Sequence, residues 1–381
     1  KLDPRKSSQA ADIPTKIIKE NYDIFGNILS NSINFSFDTR VFPDCQKISD
    51  ISSIFKKDDR TLVENYRPIS LLPILSKVFE RCMHKQLEAF FENKLSKYQF
   101  GFRKGHSAQH CLLAMVEKCK KMLDKKGGAY AAVLTDLSKA FDCLDHDLLI
   151  AKLHAYGCDI NSLKLVTSYL KDRRQRVKIN SSYSSWGQTM SGVPQGSILG
   201  PLLFNIFLAD LFLILDDIEI SSYADDNTPY AYGRGIEGIR ARMEDNVERL
   251  FKWFLDNGMK ANADKCHLLS NKDIELVIAN EKLTNSDSQK LLGITIDKNL
   301  CFDKHVSKLC DTASSKLHAL SRVARFMDIG KRKLLMKAYV TSQLGYCPLV
   351  WMTHSRALNA RINALHERSL RIVYDDTTSS F

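Results

Sequence analysis

The residues best suited to chemistry are two adjacent carboxylates, Asp225 and Asp226, in the stretch Ser222-Tyr223-Ala224-Asp225-Asp226-Asn227. They stand between two runs of strand-forming residues, Ile218 to Tyr223 and Thr228 to Tyr232, which predicts a β-hairpin with acid at its tip. Side chains alternate along a strand, so only one of two neighbouring carboxylates points squarely at a given spot. A third carboxylate, Asp136, ends the small and apolar run Ala129 to Leu134, the pattern of a strand buried on both faces. A charge there is costly unless it is paired or bound to a metal. Brought together across a sheet, such carboxylates can hold hard divalent cations through oxygen. A pair of Mg²⁺ ions held so stabilises the attacking and leaving oxygens of an in-line phosphoryl displacement. Asp142, Asp145 and Asp147 read instead as helix caps and complements to a helix dipole.

Phosphoryl transfer also needs cations for a triphosphate and a pocket for a base and sugar. Lys56 and Lys57 open a charged turn between the strand-like stretches Ile48 to Phe55 and Tyr66 to Leu72, the second of which carries Arg67. The loop Ser191-Gly192-Val193-Pro194-Gln195-Gly196-Ser197 lets backbone approach a ligand closely, and Gln195 offers both a donor and an acceptor. A third loop, Tyr98-Gln99-Phe100-Gly101-Phe102-Arg103-Lys104-Gly105, has aromatic and basic residues that could stack on and pair with a nucleic-acid strand.

The elements that must position these groups follow from periodicity. Apolar residues recur at helical spacing from Ile74 to Glu92, from Ser107 to Asp124 and from Ile239 to Phe254. Two further helices are expected over Asp147 to Tyr156 and Ile160 to Lys171, then a hairpin running to Met190. The apolar run Ile198 to Leu215 approaches the length of a membrane span, but Pro201, Asn205 and Asp210 make it a buried helix. Lys265 to Leu269, Ile274 to Ile278 and Lys290 to Asp297 read as short strands, with Gly293 marking a bulge or close approach. Beyond residue 300 the pattern is helical: Val306 to Met327, Lys331 to Leu344 and Leu358 to Tyr374.

At 381 residues, with 44% apolar and 26% charged side chains, the chain has the composition of a globular protein of two or three domains. Its net charge of +11 suggests a polyanionic partner. Ten cysteines without a Cys-x-x-Cys pair read as reduced thiols. His106 and His110 lack the Glu of a metalloprotease motif. There is no recognisable signal peptide, and a start at Lys1 reads as a fragment.

In order along the chain, Tyr66-Arg67-Pro68-Ile69-Ser70, Gln99 to Arg103, Asp136 to Asp142, Gly192-Val193-Pro194-Gln195-Gly196 and Tyr223-Ala224-Asp225-Asp226 resemble the successive blocks of reverse transcriptases. In detail they are similar to those of non-LTR (LINE-type), Jockey-like retrotransposons. The resemblance implies an α+β right-hand polymerase: an N-terminal helical extension (1–36), fingers and palm with an antiparallel sheet (37–300), and a helical thumb with a C-terminal extension (301–381). It implies that Asp136, Asp225 and Asp226 are the catalytic, metal-binding acids and that Leu137 lends a backbone carbonyl. The metal would be two Mg²⁺ ions, with Mn²⁺ as a possible substitute. Phe141 would exclude a ribose 2′-hydroxyl, and Gln195 would sit near the nucleotide sugar and template. Lys56, Lys57 and Arg67 would hold the triphosphate, and Lys265, in Asn262-Ala263-Asp264-Lys265, would assist pyrophosphate departure. Phe100, Arg103, Lys104, and Leu292 with Gly293 of a primer-grip hairpin would touch nucleic acid.

The implied activity is RNA-directed DNA synthesis, target-primed, by an intracellular protein of cytoplasm and nucleus. Its partners would be an RNA template, a DNA primer or target and deoxynucleoside triphosphates, with no membrane. Two departures stand out. Asn227 replaces the Thr usual after the two aspartates, and nothing resembles the endonuclease such elements encode upstream. The alternatives are a decayed or domesticated copy that binds RNA without catalysis, and another palm-type polymerase such as a group II intron maturase or a viral replicase. Phe141 argues against the replicase.

Overall fold

The computed structural model describes residues 12–138, 140–261, 265–278 and 281–375. Lys139 and residues 262–264, which belong to two of the motifs above, lie outside the described residues. The chain forms two compact units, each from discontinuous segments: 12–102, 137–214 and 250–261 in the first, and 103–136, 215–249 and 265–375 in the second.

In the first unit, strand Ile48–Phe55 pairs antiparallel with Tyr66–Leu71 and parallel with Arg173–Ile179. Pro68 lies on the outer strand of this sheet, where its missing N–H costs no ladder bond. Helices Ile74–Phe91, His146–Ala155, Ile160–Leu170 and Gly200–Phe207 complete the unit with buried faces. Phe42, fully buried, meets Phe79 and Tyr169 edge to face at 5.8 and 5.1 Å. The apolar run after Ile198 is buried, but it is shorter as a helix than its composition suggests. The α-helix ends at Phe207 and a 3-10 turn, Ala209–Leu213, follows. Asp210, in that turn, accepts a 2.7 Å bond from the buried Lys152 Nζ. Among the described residues no helix is long and apolar enough to cross a membrane.

The second unit is built on a four-stranded antiparallel sheet in the order His267–Ser270, Gly128–Leu134, Asp226–Arg234, Glu219–Tyr223. All seven residues of Gly128–Leu134 are buried, as the apolar run required. Helix Ala108–Leu123 packs against this sheet. Helix Asp303–Ala324 carries Val306, Cys310, Ala313 and Leu317 into the same core as Tyr130, Tyr230 and Leu269. The tail therefore shares a continuous core with the sheet. Lys290 to Asp297, read from sequence as one strand, is a hairpin of Ser288–Leu291 and Ile294–Asp297. Its two-residue turn puts Leu292 at φ 47° and Gly293 at φ 85°, the left-handed pair of a type I′ turn. Strand Glu281–Thr284, which pairs with Glu275–Ile278, has no counterpart in the sequence reading. All ten cysteines are free thiols, six of them buried.

Candidate active site

The hairpin that carries the acids is tighter than its sequence suggests. Tyr223 pairs with Asp226, so the turn is only Ala224-Asp225, and Asp226 already belongs to the returning strand. Ala224 has φ 58°, the position that a glycine normally fills in a two-residue turn of this kind. An alanine held there is a local strain of about 1–2 kcal/mol that the flanking ladder must sustain.

Register explains how residues ninety positions apart become neighbours. Strand Gly128–Leu134 pairs with the acidic strand as Ala131↔Ala231 and Ala132↔Tyr230, and the bridge Thr135↔Asn227 keeps the same register. Carried one position further, it sets Asp136 opposite Asp226. On its other side the central strand pairs as His267↔Leu134 and Leu268↔Val133, which brings the turn just before His267 to the same end of the sheet. Asp226 pairs with Tyr223 at the base of the acidic turn, so Asp136 and the hairpin acids meet at this end of the sheet. Lys265 Nζ stands 3.8 Å from Asp136 Oδ2. One position further into the sheet, Thr135, Asn227 and Ser222 lie side by side and are buried. Thr135 ties the two strands at that level, its N–H and hydroxyl donating to the Asn227 carbonyl at 3.1 and 2.8 Å.

Asp136 is not sunk in the core as a strand-end charge was expected to be. Its side chain is 46% exposed, because the buried strand ends at Leu134 and Asp136 emerges beyond it. Asp225 and Asp226 are half-buried. The charges of Asp226 and Asp136 act on nearby thiols. Burial, reinforced by the Asp226 carboxylate, pushes the Cys111 thiol up to about 12. Burial likewise raises Cys266, where the Asp136 backbone N–H works against the shift and the Asp136 charge adds to it.

Among the described residues no three His, Cys, Asp or Glu side chains, Asp136, Asp225 and Asp226 included, are grouped closely enough to hold a metal ion by themselves. What the strands bring to one end of the sheet is carboxylate oxygen, a hard donor. That suits Mg²⁺, which is commonly held by one or two carboxylates and completes its shell with substrate phosphates and water.

The other expected site residues fall in two groups. In the second unit, Leu292 and Gly293 are the turn described above. Tyr346, not singled out from sequence, donates its hydroxyl to the Leu292 carbonyl at 2.8 Å, and a Cβ on Gly293 would lie 3.2 Å from its ring. Arg103 is half-buried and Lys104 exposed.

In the first unit, Lys56, Lys57 and Arg67 are exposed and Leu137 is buried. Gln195 is held at both ends. Its carbonyl accepts the Ser70 N–H at 2.7 Å, and its Nε2 donates to Asp142 Oδ1 at 3.0 Å. Gly192 packs so closely on the Phe141-Asp142 backbone that a Cβ would come within 2.8 Å. Phe141 is half-buried between Phe204 and Phe102. Phe100 corrects an expectation: it is 8% exposed, so its ring has no free face for a base. Phe102, 52% exposed at φ 58°, is the outward ring of that loop.

Sequence reasoning also missed Glu80. It is fully buried, and its Oε2 accepts the N–H groups of Ile198 (2.6 Å) and Leu199 (3.2 Å) at the end of the Gln195 loop. A carboxylate at helical spacing inside the apolar stripe of Phe79 and Met83 was its only signal.

A chain with this sheet and these acids belongs to a known class. Residues 54–296 match the family described as Reverse transcriptase (RNA-dependent DNA polymerase), and the chain belongs to that family. It is 29% identical over 341 residues to the probable RNA-directed DNA polymerase from transposon BS of Drosophila melanogaster, a match covering 82% of this chain and 36% of that protein. It is 28% identical over 356 residues to the RNA-directed DNA polymerase from mobile element jockey of the same fly, covering 89% and 39%. The chain thus spans well under half the length of these relatives. Apo telomerase from Candida Tropicalis has a similar structure, with a TM-score of 0.53 at 12% identity over 92% of this chain and 63% of that one. That likeness is one of fold, the α+β right-hand polymerase expected from the sequence.

Proposed function

We propose that this chain is an RNA-directed DNA polymerase of a non-LTR retrotransposon, and that Asp136, Asp225 and Asp226, with Lys265 beside Asp136, are its catalytic centre. The observation that supports the reading is the Thr135↔Asn227 bridge, which brings the strand leading to Asp136 to the acidic hairpin, together with the 3.8 Å approach of Lys265 Nζ to Asp136. Asp136, Asp225 and Asp226, with the Leu137 carbonyl next in the chain, would hold two Mg²⁺ ions. Those ions, when bound, supply charge neutralisation at the reacting phosphate oxygens.

The reaction is attack of the primer 3′-hydroxyl on the α-phosphate of a deoxynucleotide, with release of pyrophosphate. Lys265 suits the departing end. Its ammonium, only 3.8 Å from Asp136, can give a proton or a hydrogen bond to the pyrophosphate as charge builds there. Lys56, Lys57 and Arg67 would neutralise the triphosphate, and Gln195, oriented by Asp142, would face the nucleotide. Phe141 would stand against the 2′ position of the sugar. The turn at Leu292 and Gly293 would meet the primer, and Arg103 and Lys104 the nucleic-acid backbone. On this reading residues 37–300 are fingers and palm and the helices after 300 the thumb. Target priming, on nicked DNA with the element's own RNA as template, belongs to the full-length protein.

The test is extension of a DNA primer on an RNA template with Mg²⁺ and deoxynucleotides. Product is expected from the purified chain and none from Asp225→Ala. Extension that survives this substitution removes the hairpin from the site, and RNA binding without extension by the unaltered chain replaces the polymerase with an RNA-binding protein.

A further inference from the structure

Phe141 is held by a stack of rings that no sequence motif announces. Its ring lies on that of Phe204 at a centroid distance of 4.4 Å and an interplanar angle of 15°, a face-to-face contact. Phe102 meets it edge-on, at 5.9 Å and 84°. Phe204 itself is fully buried on helix Gly200–Phe207, with no freedom to move aside. The next residue, Asn205, is 2% exposed and fastens the loop that carries Phe102. Its Nδ2 donates to the Gly101 carbonyl at 2.8 Å, and its own carbonyl accepts from Gln99 Nε2 at 2.8 Å. One short helix therefore sets both rings that bracket Phe141. The Phe141 backbone is fixed too, since its carbonyl accepts the Val193 N–H at 3.0 Å.

We infer that Phe204 is a positioning residue for sugar selection: its buried ring forms the rigid back wall that keeps Phe141 against the 2′ position of an incoming nucleotide. This rests on the polymerase reading above and deepens it. A single aromatic ring rejects a hydroxyl by volume only if it cannot retreat. An added hydroxyl otherwise costs little in an apolar pocket that can yield. Here retreat would break a stack and push against a ring that is itself fully buried. Discrimination against ribonucleotides is then a property of the pair, with Phe141 as the surface and Phe204 as its support.

The experiment compares kcat/KM for a ribonucleotide and its matching deoxynucleotide in primer extension by the full chain. Phe204→Leu and the longer, flexible Phe204→Met both keep an apolar side chain but remove the stacked face. Each is expected to raise relative ribonucleotide use about 3- to 10-fold, the scale of one lost aromatic pair. Phe141→Val removes the surface itself and is expected to raise it by roughly 100-fold.

Phe207→Leu is the control. Phe207 is equally buried on the same helix but faces Trp253 at 6.4 Å, so general loosening of the helix would show there as well. The ratio should stay put in that variant. An equal change in Phe207→Leu, or no change in either Phe204 variant while Phe141→Val responds, overturns the inference. A ratio indifferent to Phe141→Val, or a chain that extends no primer, takes down the underlying polymerase or sugar-gate reading and this inference with it.

Discussion

Removing the Glu80 carboxylate should release the Gln195 loop. Glu80 Oε2 accepts two backbone N–H groups, from Ile198 and Leu199, and Oε1 accepts the Ser76 hydroxyl at 3.0 Å. Ile198 and Leu199 lead into helix Gly200–Phe207, so their N–H groups have no partner within that helix. Glu80→Ala orphans both in a buried setting, at about 1–3 kcal/mol each. Relief of the buried charge offsets part of this, since burial raises the Glu80 carboxyl above its ordinary range despite the pull of the Leu199 N–H, Arg173 and the Ile198 N–H. A net local cost of about 2–4 kcal/mol follows. Native-state hydrogen exchange at Ile198 and Leu199 should then quicken about 30- to 700-fold, tenfold for each 1.4 kcal/mol.

Glu80→Gln keeps an oxygen where both N–H groups point and should change exchange less than about tenfold. It should also flatten a pH dependence. A carboxyl raised in the folded state favours folding below its ordinary value, and that contribution is lost as pH rises through the folded value. The native chain should thus lose stability relative to the Gln variant over that window, by up to about 1.4 kcal/mol per pH unit. Unchanged exchange at Ile198 and Leu199 in Glu80→Ala would refute the clamp.

Gly192→Ala should destabilise the first unit by about 2 kcal/mol or more, because φ is 80° and the new Cβ would strike the Phe141 and Asp142 backbone, which cannot swing away; a urea midpoint equal to that of the native chain would contradict this. His305 is buried, accepts the Thr295 N–H on Nδ1 at 3.3 Å, and is held below the ordinary histidine value by burial and by Lys290 and Lys308. A depressed histidine favours folding above its unfolded value and loses that contribution as pH falls, so stability should drop as pH falls below about 6.5 and the drop should shrink in His305→Gln.

Local pattern was enough to place most elements, because apolar period and strand composition act within a few residues. Helices Ile74–Phe91 and Ala108–Leu123 and strand Ile48–Phe55 lie where periodicity put them. The acidic hairpin was legible because strand formers flank it. Long-range pairing was not. Nothing local says that Ile48–Phe55 pairs parallel with Arg173–Ile179, or that Lys265 Nζ comes within 3.8 Å of Asp136.

Burial was harder still. Phe100 and Phe102 look alike in sequence, yet the turn at Phe102, with its positive φ, sends one ring inward and the other out. Glu80 and Phe204 were missed because their importance lies in what they support: a buried acid binding backbone, and a core ring backing another ring.

The most direct measurement is the single-turnover rate of nucleotide addition on an RNA template for Asp136→Asn, Asp225→Asn and the double variant. If the carboxylates work as one centre, each single substitution should cost on the order of 100- to 1000-fold or more, and the double should cost little beyond the worse single. A near-native rate in Asp136→Asn, or losses that simply multiply, would contradict the shared site.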